Sequence, residues 1–323
     1  MESNTANRAE YSRVRGRLEP GSTIIAVGGG KGGVGKSFVS SSIAIFLSEL
    51  GYDTLAVDLD LGGANLHTSL GVPLHNKGIN EFISNPNLEL TDLIQPTHWP
   101  KLQLVSGSSE MLGTANIDEL SRTRLMSSIF RHKTDYVILD LSAGTHNATL
   151  DFFLMAKHKV AVFTPEPSSV ENAYRFLKAS FFRKLRRYEH QLNLKSAIDD
   201  LLDNREANGI KNPADMMKAL VERQPVMGLK LKNIMQDMNF GIVLNQARTR
   251  QETEMGHALR SVCNKYFGFP CEFLGGLEYD NAVWQSLRQK NHLLMANRQT
   301  HLYAQLMTIA RKLGKNPPSR NAA

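Results

Sequence analysis

The stretch Gly30-Lys31-Gly32-Gly33-Val34-Gly35-Lys36-Ser37 fills every position of the phosphate-binding loop pattern G-x-x-x-x-G-K-[ST]. It follows an apolar, β-branched run, Thr23-Ile24-Ile25-Ala26-Val27. It precedes Phe38-Val39-Ser40-Ser41-Ser42-Ile43-Ala44-Ile45-Phe46-Leu47, whose apolar residues recur at helical spacing. Strand, loop and helix therefore stand in the order the motif needs. Glycines let the backbone curl until successive N–H groups face phosphate oxygens, and the N-terminus of the following helix adds partial positive charge. Lys36 is expected to reach the β- and γ-phosphates and the Ser37 hydroxyl to ligate magnesium. Gly30, Gly32, Gly33, Val34, Gly35 and Phe38 complete the expected nucleotide-binding set.

A second lysine, Lys31, stands beside the pocket that already holds Lys36. Two ammonium groups in one place repel unless a highly charged anion lies between them, so the pair implies a triphosphate; the alternative is a surface lysine. Downstream, Thr54-Leu55-Ala56-Val57 reads as a buried strand that ends in Asp58-Leu59-Asp60. Alternate strand residues point the same way, so both carboxylates can face magnesium and water at the carboxyl end of a sheet, or cap the next turn. Asp140 closes another apolar run, Tyr136-Val137-Ile138-Leu139, where an acid can hold magnesium through water. A further strand, Phe240-Gly241-Ile242-Val243-Leu244, delivers Asn245 with Arg248 close behind. The Asn245 amide can read an adenine edge or serve as a strand-end turn residue.

These residues resemble the MinD/ParA family of dimeric ATPases, whose signature K-G-G-x-G-K-[ST] stands here as Lys31 to Ser37. Within it, Thr164-Pro165-Glu166-Pro167-Ser168-Ser169-Val170-Glu171-Asn172-Ala173-Tyr174 is close to the E-P-T-S-x-x-D-A-Y signature of the FlhG/FleN subgroup, and Asp58 to Leu66 resembles that subgroup's D-x-D-L-G-L-A-N-x. The resemblance covers residues 23–177 and 239–313. It implies an α/β fold of the MinD-like P-loop NTPase type: a mostly parallel seven- or eight-stranded sheet with helices on both faces. It implies ATP and magnesium as ligands, with Ser37, Asp58 and Asp140 around the metal. Lys31 and Asp60 take the catalytic roles, Lys31 crossing to the partner's nucleotide and Asp60 positioning water. Leu141-Ser142-Ala143-Gly144-Thr145 is similar to the family's switch loop, with Leu141 where threonine is usual. Phe273-Leu274-Gly275-Gly276-Leu277-Glu278-Tyr279-Asp280 is similar to a G-x-I-P-x-D loop that lies against the base, with Glu278 in place of proline, and it adds Asp280 to the cofactor set.

The implied function is a slow ATPase that dimerises with ATP and controls the placement or number of a cellular structure, flagella first. A ParA-like DNA-binding partition ATPase is the alternative. Implied partners are a second copy of the chain and a flagellar assembly factor, C-ring protein or transcription regulator. An iron–sulphur carrier is disfavoured, because Cys263 and Cys271 form no C-x-x-C pair.

Three segments depart from the family pattern. The segment 183–238 reads as a helical insertion in a domain spanning 21–315. At its approach Arg175, Lys178, Arg183, Lys184, Arg186 and Arg187 accompany a stripe of Leu177, Phe181, Leu185, Tyr188 and Leu192. Such a helix can bind a partner, nucleic acid or an anionic surface, or simply present a solvated basic face to water. Near the C-terminus Leu302, Leu306, Ile309 and Leu313 make an apolar stripe flanked by Arg311, Lys312 and Lys315, which aligns with a core helix; membrane contact is expected to be weak or absent. The ends, 1–20 and 316–323, read as a polar arm and a short tail, both disordered. The arm carries Asn7-Arg8-Ala9 where the subgroup has D-Q-A.

The 323 residues fit one α/β domain with an insertion. Two cysteines are too few for a disulfide framework, which points to a reducing, cytoplasmic compartment, with peripheral membrane or polar placement as a variant of it. No apolar run approaches the roughly 18 residues that span a bilayer. A net charge of +7 permits acidic partners without selecting one.

Overall fold

Near-continuous apolar runs make the central strands. In the computed structural model, which describes residues 21–74, 77–107, 117–289, 292, 294 and 298–314, these are β1 (Thr23–Gly28), β2 (Thr54–Leu59), β5 (Tyr136–Leu141) and β6 (His158–Phe163). All four are buried along almost their whole length, as strands of a parallel sheet covered on both faces must be. With β3 (Gln95–Pro96), β4 (Leu102–Val105), β7 (Phe240–Ala247) and β8 (Cys271–Glu278) they form an eight-stranded sheet in the order β3-β4-β2-β5-β1-β6-β7-β8. Every pairing is parallel except the short β3 against β4. The expected arm, tail and Lys315 lie outside the described residues.

Alternation along the strands feeds two cores. Ile24, Ala26, Leu55, Val57, Val137 and Leu139 face one side, and Ile25, Val27, Ala56, Tyr136 and Ile138 the other. The second core is closed by α1 (Lys36–Glu49) through Val39, Ile43 and Phe46, with the short α2 (Leu66–Ser69) beside it. The first is closed by α3 (Ile79–Ser84), α4 (Glu119–Arg131), α5 (Asn147–Met155) and α6 (Pro167–Tyr188), which contribute Phe82, Ile129, Phe153 and Phe181.

The segment expected as an insertion forms α7 (Lys195–Asp203), α8 (Pro213–Arg223) and α9 (Pro225–Met235), which pack in sequence on one another and, through α9, on α6; Ile198, Leu220 and Leu231 join the first core. The first residues of the segment expected as the insertion, from 183, continue α6 without a break to Tyr188. Two prolines open α8 and α9 at first-turn positions, where a missing N–H costs no helical bond. After β7 come α10 (Arg250–Phe267), α11 (Asn281–Arg288) and α12 (His301–Leu313). Leu302, Leu306, Ile309 and Leu313 of α12 are buried in the second core, and the Lys312 ammonium donates to the Leu274 carbonyl at 2.8 Å. The stripe therefore belongs to a core helix, as its alignment implied. No described helix is long and apolar enough to cross a membrane.

Most of the basic residues on α6 are paired inside the chain. Arg183 and Arg187 both donate to Asp151 of α5, which also receives Arg122 of α4. Arg186 binds Glu189 and Asp199, and the buried Lys184 pairs with Asp237. Asp151 has a depressed pKa; burial opposes its ionisation, but the three guanidiniums outweigh that.

Candidate functional site

The loop between β1 and α1 is held open by backbone choices only glycine allows. Gly35, the residue before α1, sits at φ 90°, and a Cβ there would come within 2.2 Å of the Asn245 amide nitrogen. A Cβ on Gly30 would meet the Asn172 carbonyl oxygen at 2.0 Å. The first turn of α1 has no side-chain cap and no acidic residue, so its N–H groups remain available to an anion. Lys36 is buried, its ammonium 3.5 Å from the Lys31 carbonyl, and burial lowers its pKa while Asp140 and Asp60 pull it back up.

Above this loop opens a cavity of about 570 Å³. Gly32, Gly33, Gly35, Lys36, Ser37 and Phe38 form its floor, Asp60 and Asn65 one wall, and Asn245, Gln246 and the Glu278–Asp280 segment the other. It lies at the carboxyl ends of β1, β2, β7 and β8, where ligands of open α/β sheets collect.

The acids divide into two kinds. Asp60 lines the cavity. Asp58 and Asp140 are side by side across the β2–β5 pairing and wholly buried. Asp58 accepts the backbone N–H of Asp60 at 3.1 Å and of Leu66 at 3.0 Å, which shapes the loop that presents Asp60. Asp140 accepts the Ser40 hydroxyl on one oxygen at 2.8 Å, and its other oxygen, though buried, has no donor in hydrogen-bonding geometry. Burial pushes the Asp58 carboxyl up to about 8 and Asp140 up to about 6, and the proximity of the two adds to the rise at Asp58. Ser37 faces the Asp140 carboxyl and helps to hold its pKa down.

This donor set fits magnesium of the kind that binds through phosphates. Among the described residues no cluster of three or more His, Cys, Asp or Glu could cage a metal alone. Magnesium takes one or two carboxylates and completes its shell with waters and phosphate oxygens. An unsatisfied Asp140 oxygen beside Ser37 supplies what that arrangement needs from the protein.

Lys31 is not among the cavity's lining residues. Its ammonium reaches Glu166 at 3.0 Å and the Ser168 hydroxyl at 3.2 Å, at the start of α6, and remains half exposed. Its place beside the loop, turned to the outside, is what a side chain needs if its target belongs to another molecule.

The base-side expectations are redistributed. A register irregularity in β7 between Leu244 and Ala247 turns Asn245 and Gln246 toward the loop, with Gln246 at φ 61°. Asn245 donates to the Val34 carbonyl at 2.8 Å while lining the cavity, so it braces the phosphate loop. Asp280 also lines the cavity, and its carboxylate caps α11 by accepting the Ala282 N–H at 2.8 Å. The Arg248 guanidinium is not among the lining residues and lies 4.4 Å over the Tyr279 ring. Gly30, Val34, Asp58 and Asp140 do not line the cavity themselves. Gln246, Asn65, Tyr279 and Trp284 line the cavity without having been expected. Only their closeness in sequence to Asn245, Asp60 and Asp280 hinted at them.

The sequence profile of the family described as ParA, NUBPL iron-transfer P-loop NTPase, matches residues 21–188. The antiactivator FleN of Pseudomonas aeruginosa is 32% identical over 157 residues, which cover 48% of this chain and 55% of FleN. The flagellum site-determining protein YlxH of Helicobacter pylori is 33% identical over 162 residues, 48% of this chain and 52% of YlxH. The chain thus matches about half the length of these curated relatives. The septum site-determining protein MinD of Pyrococcus horikoshii, solved with Mg-ADP, superposes with a TM-score of 0.63 over 91% of this chain and 96% of that one at 19% identity, a likeness of fold alone.

Proposed function

The chain belongs to the ParA/MinD family of P-loop NTPases, and from that premise we propose that it is a slow ATP-dependent dimerisation switch, its own cavity binding ATP and its Lys31 serving a second copy. One observation carries the reading. Lys36 lines the cavity within the electrostatic reach of Asp60 and Asp140, while Lys31, from the same loop, does not line it and pairs with Glu166 in a half-exposed position.

In this reading the loop N–H groups, the open N-terminus of α1 and Lys36 hold the phosphates. Ser37 and Asp140 hold magnesium with Asp58 behind them; the metal, when bound, screens phosphate charge. Asp60 orients a water from the wall of the cavity. Lys31 of each subunit leaves Glu166 and Ser168 and completes the neighbouring site.

The role we propose for the switch is control of flagellar placement or number. The similarity to FleN and YlxH and the Glu166–Tyr174 segment support it, and capture of flagellar assembly, C-ring or regulatory proteins by the ATP-bound chain tests it. The partition alternative drew on a free basic helix, and most of those charges on α6 are occupied within the chain.

Nucleotide binding itself is tested by Lys36→Ala. Removing a charge-assisted contact to phosphate should weaken labelled ATP by about 10- to 150-fold in equilibrium binding. Wild-type affinity in this variant would overturn the assignment.

A further inference from the structure

The two cysteines of the chain meet across one tight turn. Cys263 stands in the last turns of α10, Gly268 ends that helix at φ 73°, and Cys271 opens β8. The Asn264 side chain, next to Cys263, accepts the Cys271 N–H at 2.5 Å and ties the two backbones together. Both thiols are free and buried in the first core, and the Cys271 thiol donates a hydrogen bond to the Cys263 sulfur. They differ in access. Cys263 lines an apolar cavity of about 520 Å³ between α6 and α10, beside Phe163, Tyr174, Leu177 and Leu259, whereas Cys271 is not among its lining residues. The exposed Glu171 and Val262 also line this cavity, so it opens to solvent.

We propose that Cys263 and Cys271 form a reversible oxidation site, in which a hydroperoxide that enters this cavity converts the two thiols to a disulfide. The site stands apart from the phosphate-loop cavity and shares no lining residue with it. The hydrogen bond from Cys271 holds the Cys263 thiol below its ordinary range although burial opposes this, so the sulfur that faces the cavity is also the better nucleophile. The same hydrogen bond and burial push Cys271 up, which keeps it protonated as the donor. In the first step the Cys263 thiolate attacks one peroxide oxygen; the O–O bond breaks, and the departing hydroxide takes up the proton that Cys263 released. With hydrogen peroxide this gives a sulfenic acid and water. Cys271 then attacks the Cys263 sulfur as it loses its proton, the S–O bond breaks, and hydroxide leaves with that proton as a second water. Two thiols and one peroxide thus give one disulfide and two waters, each sulfur losing one electron and each peroxide oxygen gaining one. A thiol reductant reverses the change by exchange.

The test treats the full chain, without nucleotide, with hydrogen peroxide in native buffer, alkylates it in denaturant and reads intact mass and an unreduced peptide map. The wild type should lose both thiols together and two hydrogens in mass, and trypsin should release residues 261–265 linked to residues 266–288. Dithiothreitol should restore both thiols. Cys271→Ser keeps a hydroxyl donor toward Cys263 and should stop at the sulfenic acid, which a cyclic dione traps. Cys263→Ser should slow oxidation of the remaining thiol by about 10-fold or more, because Cys271 is off the cavity and protonated.

Thiols that survive peroxide in the folded chain and react only in denaturant overturn the proposal, since the cavity then gives no access. A disulfide between copies in place of the internal link overturns it too, as does a Cys263→Ser variant that oxidises as fast as Cys271→Ser. The wild-type peptide map decides the link by itself, so the test stands even where a serine variant fails to fold.

Discussion

Asp58 and Asp140 are adjacent carboxylates with no solvent, and that juxtaposition sets a pH dependence. Both have folded-state pKa values above the unfolded value near 4, so the native state holds protons that the unfolded chain has lost. Their stabilising contribution is complete below pH 4 and disappears as pH rises through about 6 and then about 8. Without nucleotide or magnesium, the urea midpoint should therefore fall between pH 5 and pH 8, with a slope of up to about 1.4 kcal/mol per pH unit for each proton. Asp140→Asn keeps the Ser40 hydrogen bond and should remove the part of the slope nearest pH 6. A midpoint that rises over this range would contradict the assignment. Asp60, on the cavity wall, is a different case. Asp60→Ala should bind ATP normally, lose about 100-fold or more in turnover as a general-base or water-positioning group does, and accumulate as dimer in light scattering with ATP. A monomeric variant, or one that still turns over, would remove the role given to Asp60.

At the scale of elements, α6 is the joint between the core sheet and the insertion. Its inner face buries Phe176, Leu177, Phe181 and Leu185, and its flank converges on Asp151. Arg122 of α4 and Arg183 and Arg187 of α6 meet at that one carboxylate, whose side chain is 5% exposed. Removing it leaves three partly buried guanidiniums facing one another, so Asp151→Ala should cost about 3–5 kcal/mol in chemical denaturation, far beyond an exposed ion pair. A loss under 1 kcal/mol would mean that water already screens the cluster. The same convergence explains why the basic run on α6, which in sequence could serve an interaction or simply face water, works largely as an internal clamp in space.

For the whole molecule, the proposed dimer turns on the balance between two uses of Lys31. Its bond to Glu166 within the subunit is exposed, and such pairs contribute about 0–1 kcal/mol. A contact with a partner's phosphate, shielded from water between subunits, is worth about 2–4 kcal/mol. If Lys31 serves the partner's site as proposed, the exchange favours association once a triphosphate is present. Lys31→Ala should bind ATP almost as the wild type does, because Lys36, Ser37 and the loop amides remain. Its dimer should be about 30- to 1,000-fold weaker in sedimentation with magnesium and a non-hydrolysable ATP analogue. Dimerisation equal to wild type would make Lys31 a local surface residue and end the paired-site mechanism.

By itself the sequence determined the phosphate loop, the sheet and the acids at its edge, because each of these is dictated by local rules. Gly35 must take a positive φ, Ile24 to Val27 must be buried on both faces, and Asp58, Asp60 and Asp140 must emerge where their strands end. The tertiary structure alone decided how those acids divide, with Asp60 in the cavity and Asp58 turned to the backbone of its own loop, since that depends on which N–H groups a folded turn brings near. It likewise turned Asn245 into a brace for Val34 through an irregularity in β7, and brought Glu166 to Lys31 and three arginines to Asp151 across long stretches of chain. Partners of that kind leave no periodicity in the sequence, because packing of separate elements, and not spacing along one of them, brings them together.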